Sequence, residues 1–93
     1  MISSFADKET ERIFHRKRSR KLPGDIQQRA REKLMALDAA TELRDLRNPP
    51  GNRLEALRGN WTGQYSIRIN RQWRVCFRWQ SCHAFDAEIA DYH

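Results

Sequence analysis

The C-terminal half of the chain alternates apolar and polar side chains in the way that half-buried strands do. Every second side chain is apolar across 65–69, and the same period of two continues through 73–79 and 84–89. We therefore expect three antiparallel strands, joined by hairpin connections at 70–72 and 80–83.

The N-terminal half favours helices instead. Ile2–Phe5 predicts a short first strand, and Asp7 is a typical N-cap for a helix that we expect to end in the bases Arg16–Arg18. The sequence 22–25 interrupts this pattern, and a longer helix is predicted after it. The apolar face of that helix is formed by Ile26, Ala30, Leu34 and Leu37.

A short helical turn at 41–46 and an irregular or bulged strand at 54–58 complete the pattern. Helices that cover one face of antiparallel strands give a two-layer arrangement. The predicted fold class is therefore α+β, with an N-terminal strand and two to three helices packed on one face of a mainly antiparallel, twisted sheet. With 93 residues, the chain is expected to form one domain over 1–93.

The uncovered face of the predicted sheet is polar. Strand parity places these side chains on it: Arg68, Arg74, Arg78, Glu88 and Tyr92. Asp91 and His93 fall on the opposite, apolar parity. Either the last strand runs past the end of the helical cover or a bulge turns these residues, and the sequence leaves both alternatives open.

Composition narrows the choice of partner. The chain holds 18 Lys and Arg against 12 Asp and Glu, a net charge of +6, which favours polyanions such as nucleic acid, bound more weakly as salt rises. No apolar run is longer than Leu34–Leu37, so neither a membrane partner nor a secretory signal is expected. Cys76 and Cys82 lack metal or redox spacing, so we expect reduced thiols in a cytoplasmic protein that uses no metal or other cofactor.

The cations form two groups. The first lies between the predicted helices: Arg16, Lys17, Arg18, Arg20 and Lys21. These charges either are solvated at a helix end or bind RNA, and the sequence leaves both open. The second group lies in the C-terminal half: Arg68, Arg71, Arg74 and Arg78. Its arginine content favours forked contacts to phosphate.

The last three residues, Asp91, Tyr92 and His93, can all hold or move a proton. The strand before them would tie them to the sheet, beside the candidate cations Arg58 and Arg74. Acid–base groups beside guanidinium groups suit cleavage or capture of a phosphodiester. Spacing alone, however, would favour a frayed chain end and an ordinary solvent-facing role for Arg74.

Several short motifs, in order along the whole chain, add to this interpretation. They are Ile2-x-Ser4-Phe5, the seven residues 37–43, Leu57-Arg58-Gly59, Tyr65-Ser66-Ile67, the five residues 73–77 and the terminal Asp91-Tyr92-His93. Through these motifs the chain resembles the HigB-type toxins of the RelE/ParE superfamily, from bacterial toxin–antitoxin pairs. The resemblance implies a compact sheet flanked by helices and a growth-inhibiting toxin that cleaves mRNA in the ribosomal decoding site without metal.

The resemblance also assigns site residues. Asp91, Tyr92 and His93 match the family's C-terminal active-site motif, and Arg58 and Arg74 match its basic phosphate-contacting positions. In cleavage by the substrate's own 2′-OH, the two arginines would steady the phosphate and His93 would act as the acid. Asp91 would orient His93, and Tyr92 would stack on a base or position the ribose.

Glu55 departs from the family pattern, because many relatives carry histidine at this position. We expect Glu55 to act as the base in place of that histidine, although a scheme built on the histidine does not carry over unchanged. If Glu55 is not the base, Asp91 or the terminal carboxylate is the next candidate.

The resemblance implies several partners: a HigA-like helix-turn-helix antitoxin, the ribosome and mRNA, with operator DNA reached only through the antitoxin. Two alternatives stay open because a fold does not fix a function. One is a non-catalytic inhibitor like the ParE-branch gyrase poisons, and the other is an inactive module that binds nucleic acid or the antitoxin. The terminal motif together with Arg58 and Arg74 favours the ribonuclease over the poison, whereas Glu55 keeps the inactive module open.

Overall fold

A computed structural model describes residues 1–91 of the chain. Helix α1 spans Lys8–Phe14 and helix α2 spans Gly24–Ala39. The Asp7 side chain accepts a hydrogen bond from the backbone N–H of Thr10 at 2.7 Å, which confirms the predicted N-cap. The expected helix end at Arg16–Arg18 is wrong, because Arg16 adopts a left-handed φ of 64° and turns the chain away.

Within residues 1–91, four antiparallel strands form one sheet in the order β1-β2-β3-β4. The strands are β1 Glu55–Ala56, β2 Tyr65–Arg68, β3 Trp73–Gln80 and β4 His83–Asp91. The hairpin between β3 and β4 turns through Ser81 and Cys82, both at positive φ, as a two-residue turn of this kind requires. Helices on one side of this sheet confirm the predicted α+β class.

The N-terminal segment pairs with the sheet more sparsely than predicted. Instead of a regular strand, Ile2 and Phe5 make isolated parallel bridges to Ala84 and Ala87 of β4. The backbone N–H of Ser3 donates to the Ala84 carbonyl at 2.7 Å, within one of these bridges. The segment therefore covers the outer edge of β4, which would otherwise expose unpaired backbone groups.

The core lies between the helices and the inner face of the sheet. The predicted face of α2 is buried there against Val75 and Phe77 of β3, and Trp73 and Trp79 pack at its margins. Among residues 1–91, no helix has both the length and the apolar content needed to cross a bilayer.

Short 3₁₀ helices at Leu43–Arg47 and Pro50–Asn52 lead from α2 into β1. The fully buried Asn52 side chain fixes this connection: it donates to the Leu46 and Asn48 carbonyls and accepts from the Lys33 ammonium group. Burial, followed by the charge of Arg29, lowers the pKa of Lys33. The position of β1 therefore depends on polar contacts that connect it to α2.

The outer face of the sheet is less polar than parity predicts. Leu57, Cys76 and Ala90 are buried on it, with Trp61 packed against them. Trp61 belongs to the 3₁₀ helix Gly59–Trp61, which therefore contributes to the cover of this face.

β4 contains an irregularity between its two halves. The register of β3 with β4 shifts between Cys76 and Arg78, where Asp86 of β4 adopts a positive φ of 53°. Such a bulge inserts one residue and bends the strand. Beyond it, towards the C-terminus, Cys76 pairs with Glu88 and Arg74 with Ala90, so the register that reaches Asp91 is set after the bulge.

Candidate functional site

Arg74 is the centre of the polar part of the outer sheet face, which we call the arginine face after Arg68, Arg74 and Arg78. Its Nη1 donates to Ser66 Oγ at 2.7 Å and to the Arg53 carbonyl at 3.4 Å, and it forms an ion pair with Glu55 Oε1 at 3.1 Å. The side chain of Arg74 is only 15% exposed. Two residues that the sequence singled out, Arg74 and Glu55, are thus in direct contact.

The strand register explains why these groups meet. Glu55 pairs with Ser66, Ser66 pairs with Cys76, and Arg68 pairs with Arg74, so all of these side chains project from one face of three neighbouring strands. Arg53 has a left-handed φ of 46°, and its carbonyl lies beside the guanidinium group.

Ser66 is a residue that the sequence analysis missed as part of the site. It is fully buried and provides the shortest contact of Arg74. The alternation in 65–69 placed Ser66 on the polar parity, but nothing in the pattern distinguished it from a solvent-facing serine. Its burial depends on groups of the neighbouring strands, such as the Arg74 side chain that contacts it.

Every hydrogen bond and ion pair of the Arg74 side chain with residues 1–91 goes through Nη1. Its Nε and Nη2 therefore make no hydrogen bond to the described part of the protein. A guanidinium group carries five N–H donors in a fixed fork, so an anchored Nη1 leaves an oriented pair of nitrogens that can bind a phosphate.

Arg58 shares an open cleft with Glu55. The cleft has a volume of about 630 Å³ and is lined by Glu55, Ala56, Leu57 and Arg58. Arg58 is exposed and immediately precedes Gly59, whose φ of 65° allows the chain to turn into the 3₁₀ helix. Glu55 therefore borders both predicted phosphate-contacting arginines.

Asp91 lies at the end of β4, opposite Trp73. It is exposed and accepts a hydrogen bond from Gln72 Nε2 at 2.8 Å. Asp91 keeps the register that β4 takes after its bulge, and its exposure fits the first of the two alternatives, in which the last strand runs past the end of the helical cover. Asp91 and Arg74 belong to adjacent cross-strand pairs, but their side chains start from opposite faces of the sheet. The predicted site residues Tyr92 and His93 lie outside the described residues.

The remaining predicted RNA-binding cations divide between two surfaces. On the arginine face, Arg68 Nε donates to the Asn70 carbonyl at 3.0 Å, and Arg78 forms an ion pair with Asp86 at 3.4 Å. Arg71 is exposed in the connection between β2 and β3. The others lie between α1 and α2, on the helical layer rather than the arginine face: Lys17, Arg18, Arg20 and Lys21.

Two groups on the arginine face have altered acidity. Burial raises the pKa of the Cys76 thiol to about 12, with a further contribution from the charge of Glu88, so this thiol is protonated and a poor nucleophile at neutral pH. Burial, followed by repulsion from Asp7, raises the pKa of Glu88. Within the described residues, no three His, Cys, Asp or Glu side chains are grouped to hold a metal ion.

The fold is similar to that of solved toxin structures. The YoeB–YefM complex from Staphylococcus aureus contains a chain that superposes with a TM-score of 0.61 at 19% identity, covering 100% of this chain and 98% of that one. A second structure, the heterotetrameric YoeB–YefM toxin–antitoxin complex from the same organism, gives 0.61 at 18% identity with the same coverage. At these identities the likeness shows the fold alone.

Sequence comparison extends the likeness to individual proteins and to a family. Toxin HigB-1 of Vibrio cholerae serotype O1 is 46% identical over 80 residues, 85% of this chain and 84% of that protein. Endoribonuclease HigB of Proteus vulgaris is 31% identical over 93 residues, the full length of both chains. The model of the HigB-like toxin family, described as RelE-like toxin of type II toxin–antitoxin system HigB, matches residues 3–93. The chain therefore belongs to the HigB-like family of RelE-like toxins from type II toxin–antitoxin systems.

Proposed function

We propose that this protein is an endoribonuclease that cleaves mRNA on the ribosome, without metal, by activating the substrate's own 2′-OH. The observation that carries the proposal is the anchoring of Arg74 by Ser66, Glu55 and the Arg53 carbonyl. The Proteus vulgaris relative, named an endoribonuclease, supports the reaction class, since it matches this chain over its full length.

Arg74 is the proposed phosphate-binding group. Cleavage places extra negative charge on the phosphoryl oxygens, and a cation held in position before the reaction stabilises that charge without reorganising. Loss of one such preorganised donor typically costs roughly 3–4 kcal/mol of barrier. Arg58 would contribute a second cation from the cleft that it shares with Glu55.

Glu55 is the proposed base. Its carboxylate lies 3.1 Å from the guanidinium group that would hold the scissile phosphate, so it is within reach of the adjacent ribose. A phosphate bound by Arg74 would compete for this ion pair and free a Glu55 oxygen to accept the proton of the 2′-OH.

The acid must protonate the leaving 5′-oxygen, and His93 is the proposed group because an imidazole titrates near neutral pH. Asp91 would orient that imidazole, and Tyr92 would stack on a base or hold the ribose. These three roles rest on the match of the terminal motif to the family pattern.

The ribosome is proposed to complete the site, because this chain supplies few acid–base groups of its own. We also propose a cytoplasmic location and control by a helix-turn-helix antitoxin through which alone the toxin contacts operator DNA. Membership of a family of type II toxins supports the antitoxin partner.

The test is induced expression followed by mapping of new RNA 5′ ends. We expect cuts within translated mRNA for the wild type, almost none for His93→Ala, and strongly reduced cutting for Glu55→Gln. DNA breaks instead of RNA cuts would indicate a gyrase poison, and neither would indicate an inactive binding module. If Glu55→Gln cuts normally while His93→Ala is inactive, Glu55 is not the base.

A reconstituted assay tests the ribosome requirement. Purified protein is incubated with one mRNA, either free or bound to translating ribosomes, in buffer containing EDTA for the free RNA. Rapid cutting of the free RNA would contradict ribosome dependence, although it would leave the ribonuclease assignment intact.

A further inference from the structure

Asn52 is a buried polar residue that the proposed reaction does not use. It lies in the connection between α2 and β1, and its exposed fraction is 0%. The next residue is Arg53, whose carbonyl contacts Arg74, and Glu55 follows two positions later. Three residues span at most about 10 Å even when fully extended. The position of Asn52 therefore restricts where two of the three acceptors of Arg74 can lie.

The hydrogen bonds of Asn52 use its whole amide group. Nδ2 donates to the Leu46 and Asn48 carbonyls, at 3.1 Å in each case, and Oδ1 accepts from the ammonium group of Lys33. Because two carbonyls accept from Nδ2, the amide oxygen has to face Lys33. A bond from a charged donor is stronger than a neutral one, and it polarises the amide so that Nδ2 becomes a better donor. The three contacts therefore reinforce one another.

Lys33 connects this network to the helical layer. It lies on α2, is half-buried, and forms no ion pair with a carboxylate of residues 1–91. Burial and the charge of Arg29 lower the pKa of Lys33, which means that its ammonium form is held there at a cost. A lysine that only solubilised the helix would extend its charged group into water. This one is directed at the Asn52 amide instead.

β1 depends on an anchor of this kind because it is short. It consists of Glu55 and Ala56 and, within residues 1–91, pairs on one side only, with β2. Strands in globular proteins usually contain roughly 3–10 residues. At the C-terminal end of β1, the Leu57 N–H donates to the Gln64 carbonyl at 2.8 Å. At the N-terminal end, the nearest side chain that is fixed by buried hydrogen bonds is Asn52.

We propose that Lys33 and Asn52 are positioning residues of the ribonuclease site. Bound by Lys33, the Asn52 amide fixes the connection that holds the Arg53 carbonyl and Glu55 against Arg74. Neither residue contacts the substrate, so both act only through these two acceptors. The inference rests on the proposed ribonuclease function, to which it adds support from the helical layer.

The test compares single-turnover cutting of ribosome-bound mRNA by the wild type and four variants. Lys33→Met removes the ammonium group and leaves a side chain of similar length, whereas Lys33→Arg keeps a cationic donor. Lys8→Met is the charge control, because it removes a lysine from an exposed position on α1. Ile26→Val is the stability control, because it weakens the buried face of α2 and lies outside the hydrogen bonds of Asn52.

Lys33→Met should lower the rate at saturating enzyme about tenfold, because small displacements of catalytic groups have large effects on rate. The half-saturating enzyme concentration should be nearly unchanged, and Lys33→Arg should recover most of the rate. Lys8→Met and Ile26→Val should cut at the wild-type rate, although Ile26→Val should lower Tm by about 4–8 °C. Equal losses of rate in Lys33→Met and Ile26→Val would show that stability alone is responsible, and the proposal would be wrong.

Amide hydrogen exchange tests the same point without the reaction. The Arg53 N–H donates to the Pro50 carbonyl at 3.1 Å, and the Leu57 N–H is bonded at the other end of β1. In Lys33→Met, exchange of these two groups should accelerate more than exchange in β3, because β1 opens locally. Ile26→Val should not single them out. Acceleration that is uniform across the sheet in Lys33→Met would overturn the proposal.

The cutting assay also separates this proposal from the one on which it rests. If the wild type cuts RNA and Lys33→Met cuts equally fast, the positioning role is wrong and the ribonuclease assignment is unaffected. If the wild type does not cut RNA, the ribonuclease assignment fails and the positioning role fails with it.

Discussion

The arginine face and the cationic segment between α1 and α2, residues 16–21, which we call the basic loop, use the same kind of residue under opposite conditions. Arg74 is 15% exposed and has three acceptors around one nitrogen, whereas the cations of the basic loop are exposed and form no ion pair with a carboxylate of residues 1–91. A partnered, largely buried guanidinium group is fixed in direction, which suits a reacting phosphate. Exposed cations on a loop that is supported by hydrogen bonds contribute affinity that depends on salt. The contacting groups and the burial of a cation, more than its charge, thus distinguish a cation suited to catalysis from one suited to binding.

The largest expected effect is on the arginine face. Arg74→Ala should reduce ribosome-dependent cutting about 10²–10³-fold, because the anchored cation at the phosphate is lost. The measurement is the single-turnover rate on ribosome-bound mRNA at saturating enzyme. Arg44→Ala is the matched control, since Arg44 is also ion-paired to a glutamate, Glu42, but lies on an exposed 3₁₀ helix. An equal loss of the single-turnover rate in Arg74→Ala and Arg44→Ala would show that burial and anchoring do not set Arg74 apart.

The support of the basic loop can be removed without changing its charge. Ser19→Ala deletes a buried hydroxyl that bonds Glu9 and two backbone N–H groups, so we expect a loss of about 1–2 kcal/mol in the free energy of unfolding. Urea unfolding measures this loss. Ribosome binding should weaken while the single-turnover rate at saturating enzyme stays near that of the wild type. A lower rate at saturation would show that the two regions are coupled.

Ser66→Ala tests whether the orientation of Arg74 matters. Removing the 2.7 Å contact should lower kcat about tenfold, or ~1.4 kcal/mol, with KM nearly unchanged, because the cation remains but is less well directed. In an Arg74→Ala background the same substitution should have almost no further effect on kcat. An additive loss in that background would mean that Ser66 acts through stability or through another group.

The smallest effect concerns Glu88, a carboxylate of the arginine face outside the proposed chemistry. Because folding raises its pKa, the neutral form is favoured in the folded state. Its contribution to stability is therefore fully present below the unfolded pKa of about 4.3 and is lost as pH rises through the folded pKa. Glu88→Gln should match the wild type near pH 4 and be more stable at pH 7, by less than about 1 kcal/mol given its exposure.

Thermal unfolding at several pH values measures this difference. Cutting by Glu88→Gln should be normal, in contrast to Glu55→Gln. A wild type that is the more stable of the two at pH 7 would contradict the assigned cause of the shift. Loss of RNA cutting by Glu88→Gln would show that Glu88 belongs to the catalytic site.

Local periodicity predicted much of the architecture. The apolar face of α2 at Ile26, Ala30, Leu34 and Leu37 is buried as expected, because helical spacing is set within a few residues. The alternation in 73–79 likewise gave β3 and its inner face. The predicted helix end at Arg16–Arg18 is wrong because nothing in the local sequence signals that Arg16 adopts a left-handed conformation.

The sequence predicted that Arg74 and Glu55 belong to the same site, but it did not predict the ion pair between them. Their sequence positions are 19 apart, and the ion pair depends on how β1 aligns with β2 and β2 with β3. Register across strands is a cooperative property of the sheet and its turns, so a list of residues does not reveal it. For the same reason, the sequence does not reveal that Ser66 is buried.

The sequence by itself determined the element types, the excess of positive charge and the motifs that mark the family, because these depend on neighbouring residues or on composition. Only the tertiary structure decided which acceptors surround Arg74, that Asp91 stays in register beyond the helical cover, and that Ser19 and Gln27 fix the basic loop. Each of these facts needs segments distant in the chain to meet at hydrogen-bond distance. Such meetings are set by packing of the whole domain, in which no short segment carries the necessary information.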